Sequence, residues 1–69
     1  MQIQLQLIEN TSNATHFTFY SENSGEIILQ TDLLLNDVTI VNVEDTFTNF
    51  RIEHNGNNDD FNFISSSII

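Results

Sequence analysis

Several residue types are absent or nearly absent from this chain of 69 residues. It contains no cysteine, which excludes a disulfide scaffold, a cysteine-ligated zinc site and a thiol nucleophile. A domain of this size buries only roughly 60% of the surface that its unfolded chain exposes, so it needs a further source of stability. Self-association is the source that remains, and the sequence predicts a homodimer.

Positive charge is almost missing as well. Arg51 is the only lysine or arginine, and ten acidic residues give a formal net charge of −9. The chain therefore lacks the basic footprint of a protein that binds nucleic acid directly or an anionic membrane. A basic protein surface is the natural counterpart, because complementary fields speed association and fix its register. The alternative is that the acidity serves solubility alone.

The chain also lacks a long hydrophobic run, a proline and a glycine-rich linker. Its first residues, Met1 to Gln4, include no cationic segment, so we predict neither a signal peptide nor a membrane span, and a cytoplasmic location. A hydrophobic content of 39% with six phenylalanines is sufficient for a small core. With no break in composition, residues 1–69 are predicted to form one domain.

The first half of the chain has the pattern of β-strands. Ile3, Leu5 and Leu7 alternate with glutamines over residues 2 to 9, which is the two-residue period of a half-buried strand. Phe17 and Phe19 alternate in the same way. A turn at Gly25 and a third strand over 26–30 follow, so these three strands are predicted to form a hairpin-joined meander.

Residues 36 to 49 admit two interpretations. The β-branched residues between Val38 and Val43 favour a strand by propensity. The spacing of Ile40, Val43, Phe47 and Phe50 by three, four and three instead favours a helix, which Asn36 or Asp37 could cap. On this spacing we predict a helix over residues 36 to 49.

The last third of the chain again suggests strands. We predict strands over 50–54 and 61–64, with Asn55-Gly56 between them as a hairpin signal. The tail from Ser65 to Ile69 is either frayed or a further strand. The element order is then β-β-β-α-β-β, an α+β fold with a small antiparallel sheet packed on one helix. If residues 36–49 are a strand, the fold is all-β.

Four segments together resemble the YegP-like domain family. They are the phenylalanine-rich hairpin at 17–20, the segment Asn-Ser-Gly-Glu-Ile-Ile-Leu at 23–29, the Ile-Val-Asn-Val segment at 40–43 and the second hairpin at 61–64. The resemblance covers roughly residues 15 to 64. It implies a β-sheet packed on one helix, often dimeric or in tandem repeats, and implies no settled biochemical activity.

The sequence offers weak candidates for a metal or calcium site. His16, His54, Asp59 and Asp60 are the only plausible ligands for a transition metal. His54 lies close to Asp59 and Asp60 across a loop, whereas His16 lies on a different hairpin. The loop 55–60 is rich in oxygen ligands but lacks the register of an EF-hand. We therefore predict no metal site and no cofactor, and interpret the loop as a polar connection.

Catalytic motifs are also missing. Ser65 to Ser67 have no nucleophile elbow, and no glycine-rich loop could hold a phosphate. Adjacent acids such as Glu44-Asp45 are typical of solvated faces rather than of the separated carboxylates of a hydrolase. We predict a non-enzymatic protein without catalytic residues, in which Arg51, near Glu53 or a neighbouring strand, forms a cross-strand ion pair.

The leading hypothesis is an acidic inhibitor, encoded by a phage or mobile element, of the anti-CRISPR or anti-restriction type. Its carboxylates would imitate a row of phosphates and occupy the basic nucleic-acid-binding surface of a host defence protein in the host cytoplasm. Nine residues are the candidate partner-binding set: Glu22, Glu26, Asp32, Asp37, Glu44, Asp45, Glu53, Asp59 and Asp60.

Two other classes stay open. The chain could be a homodimeric scaffolding module that pairs through exposed strand edges, with its acidity serving solubility. It could also be an immunity protein or antitoxin that neutralises a basic toxin. The nature of the captured partner separates these possibilities.

Overall fold

The computed structural model describes residues 1–68 and consists of β-strands joined by turns and loops. The strands are β1 (Gln2–Asn10), β2 (His16–Ser21), β3 (Ile27–Asp32), β4 (Val38–Asn42), β5 (Phe50–His54) and β6 (Phe61–Ser67). Within this part of the chain there is no helix, so the predicted α+β class and its order β-β-β-α-β-β are wrong. The all-β alternative describes the protein.

The strands form two antiparallel three-stranded sheets, one in the order β4-β1-β6 and the other in the order β3-β2-β5. β2 and β3 form a hairpin within one sheet, whereas every other connection passes from one sheet to the other. The predicted meander is therefore wrong for its first connection, because β1 and β2 lie in different sheets. The predicted hairpin at Asn55-Gly56 is also wrong, because β5 and β6 lie in different sheets.

The predicted helix is replaced by a turn and β4. Asn36 has a positive φ of 73°, and the Asp37 carboxylate accepts a hydrogen bond from the Leu34 N–H at 2.8 Å, which closes a turn where a helix cap was expected. Val41 is buried and Ile40 is half exposed, which is the alternation of a strand. Pairing with β1 satisfies the backbone groups that a helix would have bonded internally, so the β-branched propensity prevails.

The apolar residues after β4 that matched a helical spacing lie in a loop. After β4 the chain turns, with the Phe47 N–H donating to the Glu44 carbonyl at 3.0 Å. The Phe47 ring then lies 4.6 Å from the Phe50 ring, measured between centroids. Residues three apart can thus meet across a loop as they would on a helix.

The core lies between the two sheets. Ile3, Leu5 and Leu7 point inwards from β1, and Phe17 and Phe19 of β2 oppose them with no exposed surface. The six phenylalanine rings form one connected series of ring contacts with centroid distances of 4.6–5.9 Å. Edge-to-face pairs of this kind add stability beyond the area that they bury.

The strand directions define two ends of the sandwich. The Met1 end carries the loops 22–26 and 43–49, and the Asn10 end carries the loops 11–15, 33–37 and 55–60. The longest dimension of the molecule is 32 Å. Loops that are distant in sequence thus come together at each end.

The strand at residues 50–54 is confirmed, and the tail is a strand through Ser67 that pairs with β1. The Ile68 N–H donates to the Gln2 carbonyl at 2.9 Å. Ile69, the last residue of the predicted tail, lies outside the described residues.

Candidate acidic binding surface

The fold separates the candidate acidic residues into three groups. Glu22, Glu26, Glu44 and Asp45 lie in the loops of the Met1 end, Asp32, Asp37, Asp59 and Asp60 lie at the Asn10 end, and Glu53 lies on the outer face of the β3-β2-β5 sheet. All nine side chains are exposed. Eight of them form two clusters at opposite ends, so no continuous row runs along the molecule.

The hypothesis that Asp37, Glu44 and Asp45 share a helix face is wrong. β4 lies between Asp37 and Glu44 and places them near opposite ends of the sandwich. Seven residues of extended chain at about 3.3 Å each separate them by roughly 20 Å. Asp37 therefore cannot act as a phosphate mimic beside Glu44 and Asp45.

The carboxylates of the Met1 end are almost free of partners inside the protein. Those of Glu22, Glu26 and Asp45 make no side-chain hydrogen bond, and Glu44 only accepts a long one, 3.5 Å, from Thr46 Oγ1. The loops that carry them are held by their backbones, with the Glu22 N–H donating to the Asn49 carbonyl at 2.9 Å. The negative charge at this end is therefore fixed in place and available to a partner.

An open groove of about 180 Å³ lies between the two loops of the Met1 end. Glu26 and Glu44 line it from different loops, and Ile28 and Phe47 contribute apolar surface. A groove with apolar walls and carboxylates suits the side chain of lysine or arginine, whose stem is apolar and whose head is charged.

The acidic residues of the Asn10 end are mostly engaged by the protein itself. Asp32 accepts a hydrogen bond from His16 Nδ1 at 2.7 Å, and Asp59 accepts one from His54 Nε2 at 2.8 Å. Asp37 closes the turn before β4. These carboxylates already stabilise side chains and turns, which leaves them less available than those of the Met1 end.

One acidic residue of this region, Glu9, was not among the predicted candidates. It lines a groove of about 380 Å³ together with Asp59 and Asp60. The pairing of β1 with β6 brings it there from a position about 50 residues away in the sequence. No local signal in the sequence could have found it.

The only lysine or arginine of the chain is bound within the molecule. Arg51 Nη1 donates to Glu53 Oε2 at 2.7 Å, and its guanidinium carbon lies 4.0 Å from the centroid of the Tyr20 ring. Arg51 thus forms an ion pair, but with Glu53 along β5, so the predicted cross-strand geometry is wrong. Nine of the ten acidic residues are left without a lysine or arginine partner.

The contacts among Tyr20, Arg51 and Glu53 shift the pKa values of Tyr20 and Glu53. Tyr20 donates its hydroxyl proton to Glu53 Oε1 at 2.9 Å, and this hydrogen bond raises the pKa of Tyr20 above its ordinary value. The hydrogen bonds from Arg51 and Tyr20 lower the pKa of Glu53. The ionised Glu53 thus stabilises the folded protein at pH values above its ordinary pKa. This stabilisation is lost as the pH falls through the lowered pKa of the folded state.

Replacing Glu53 is expected to shift the titration of Tyr20. In Glu53→Gln the charge that opposes the phenolate is lost while the Arg51 guanidinium remains, so the pKa of Tyr20 should fall. Tyr20 is the only tyrosine and there is no tryptophan, so phenolate absorbance measures this group alone. The control Glu26→Gln removes the same charge elsewhere and should leave the midpoint unchanged. Equal midpoints in Glu53→Gln and the unaltered protein would contradict the assignment.

Of the residues considered for metal binding, only His54 and Asp59 contact each other through their side chains. The His16 side chain lies on the outer face of the β3-β2-β5 sheet, whereas the His54 ring packs against Phe61 at a centroid distance of 4.7 Å. His54 Nδ1 accepts a hydrogen bond from the Gly56 N–H, so Nε2 carries the proton donated to Asp59. Residues 1–68 contain no group of three or more histidine or acidic side chains placed to share a metal ion.

The loop 55–60 uses its oxygen atoms to hold the fold. Asn55 Oδ1 accepts hydrogen bonds from the N–H groups of Thr15 and His16 at 2.9 and 3.0 Å. Asn58 Oδ1 accepts one from the Asp60 N–H at 2.9 Å. The polar side chains that suggested weak calcium binding therefore hold the loop against the start of β2 and close a turn within the loop.

Comparison with known proteins matched the chain to no family model, no curated protein and no solved structure. The resemblance to YegP-like domains therefore stays a prediction, and the helix that it implied does not occur in residues 1–68. Nor does the described part of the chain contain any helix long and apolar enough to span a membrane.

Proposed function

We propose that this protein is a non-enzymatic acidic binder, active in the cytoplasm, that covers the basic nucleic-acid-binding surface of another protein. An inhibitor carried by a phage or mobile element against a host defence protein would act in this way. The observation that carries the proposal is the Met1 end, where two anchored loops carry four exposed carboxylates without cationic partners, and two of these, Glu26 and Glu44, line a groove.

The charge distribution supports a basic partner. A chain with nine uncompensated acidic residues repels nucleic acid and attracts lysine- and arginine-rich surfaces. Hydrogen bonds between carboxylates and lysine or arginine are roughly twice as strong as neutral ones. In the proposed complex the groove holds one cationic side chain, and the surrounding carboxylates take the places of phosphates.

Amide substitutions at the Met1 end are expected to weaken the complex. The partner is first captured with the tagged chain from a bacterial lysate, and its displacement by duplex DNA or RNA is measured. The double variant Glu26→Gln/Glu44→Gln removes two charges at the groove and should raise the dissociation constant by about tenfold or more. Calorimetric titration at several salt concentrations measures this, and affinity should fall as salt rises.

A matched control tests whether position matters. The variant Asp59→Asn/Asp60→Asn removes the same two charges at the Asn10 end and should change the affinity much less. Equal losses in both variants would show that net charge alone determines binding. A captured partner that nucleic acid does not displace would contradict the proposed binding surface.

A further inference from the structure

One broad face of this acidic molecule carries almost no charge. It is the outer face of the β4-β1-β6 sheet, here named the glutamine face, on which Gln2, Gln4 and Gln6 of β1 are flanked by Val38, Ile40 and Ile64. The register sets Val38 and Ile64 on either side of Gln6, and Ile40 beside Gln4. The three aliphatic side chains are about half exposed.

The strands of this sheet carry a single acidic residue, and it lies at one end of the face. Glu9 stands opposite Asn62 at its Asn10 end, beyond the flanking aliphatic residues. The remaining carboxylates occupy the loops at the two ends or the outer face of the other sheet. The glutamine face is therefore the broad surface on which another molecule of the same charge can approach with the least repulsion.

We infer that the glutamine face binds a second copy of this chain, so that two sandwiches pack face to face about a two-fold axis. The charge is the first reason, because each copy keeps its two acidic ends away from the interface. The second is self-complementarity, since glutamine side chains both donate and accept hydrogen bonds and can pair with their symmetry mates.

The available area agrees with a dimer. The described residues expose 4411 Å², and one sheet face of a body measuring 32 × 22 × 16 Å is roughly a sixth to a fifth of that surface, or about 700–900 Å². A stable interface buries about 800 Å² on each partner. Covering the exposed aliphatic residues also provides burial that so small a domain lacks on its own.

The dimer leaves the Met1 end open, so it is compatible with the proposed function and does not depend on it. Salt separates the two interactions. Self-association should strengthen with salt, because salt screens the repulsion between two chains of net charge −9, whereas binding to a basic partner should weaken. Loss of one interaction therefore does not imply loss of the other.

The test is sedimentation equilibrium of the full chain, from micromolar to millimolar concentration at low and high salt. Ile40→Lys places a charge on the face beside Gln4 and should weaken dimerisation by about tenfold or more. The matched control is Ile27→Lys on β3, since Ile27 is 54% exposed and Ile40 is 51% exposed. Both substitutions change the net charge equally, so only the position differs.

Three results would overturn the inference. The chain could stay monomeric at millimolar concentration at every salt, which would leave the glutamine face to a different protein. Both lysine variants could weaken the dimer equally. A dimer unaffected by Ile40→Lys would indicate another interface, such as pairing through the edge of β6, which lies across the sheet from β4. Thermal melting of both variants shows whether they remain folded.

Discussion

Phe17→Ala is expected to remove a large part of the protein's free energy of unfolding. The Phe17 ring is fully buried and lies 5.3 Å from the rings of both Phe61 and Phe63, so it joins the two sheets. Truncating a buried phenylalanine costs about 3–5 kcal/mol, whereas a domain has only roughly 0.05–0.15 kcal/mol of stability per residue. Urea and thermal unfolding followed by circular dichroism measure the loss.

Two further variants keep this prediction testable if Phe17→Ala cannot be purified folded. Phe17→Leu retains most of the apolar volume and should lose less stability than the alanine variant. Ile27→Ala removes an exposed side chain and should change stability by no more than about 0.5 kcal/mol. Comparable unfolding midpoints for Phe17→Ala and Ile27→Ala would contradict the central role of this ring. All variants are compared at one protein concentration because dimerisation affects the midpoint.

Gly56→Ala is expected to destabilise the Asn10 end. A Cβ at this position would lie 2.8 Å from the Ser12 carbonyl oxygen, 2.9 Å from Ser12 Oγ and 2.9 Å from Ala14 Cβ. Ser12 and Ala14 are buried and Ser12 Oγ accepts a hydrogen bond from the Ala14 N–H, so neither can move easily. Overpacking of this kind costs about 1–3 kcal/mol.

Hydrogen exchange locates the effect of Gly56→Ala. The Asn57 N–H donates to the Ser12 carbonyl at 2.8 Å, and its protection should fall in the variant. The control is Gly25→Asn, because Gly25 has open space around it and asparagine tolerates its φ of 75° better than other residues do. Equal losses of stability in the two variants would refute the close packing around Gly56.

Part of the fold could be predicted because it depends on local patterns. The alternation of Ile3, Leu5 and Leu7 identified β1, and the glycine at position 25 lies in the hairpin between β2 and β3 with a positive φ. The helix was wrongly predicted because the chain folds back on itself after β4, which imitates helical spacing. Local periodicity cannot distinguish a loop contact between Phe47 and Phe50 from a helix face.

The candidate site was predictable in composition but not in arrangement. The sequence showed that the chain has ten acidic residues and only one lysine or arginine, Arg51, and hence that most carboxylates lack a cationic partner. It could not show that the loops 22–26 and 43–49 meet around a groove. Nor could it separate the free carboxylates from Asp32, whose partner His16 lies on the neighbouring strand β2, or show that Asp59 accepts a hydrogen bond from His54.

The sequence by itself therefore determined the charge, the strand-forming segments and the absence of cysteine chemistry, because each depends on residue type or on neighbours along the chain. Only the tertiary structure decided the strand order, the two acidic ends and the uncharged glutamine face. These depend on pairings such as Ile3 with Ser67, which join residues from opposite ends of the chain. The free energy of such pairings comes from burial between the sheets, which no local pattern records.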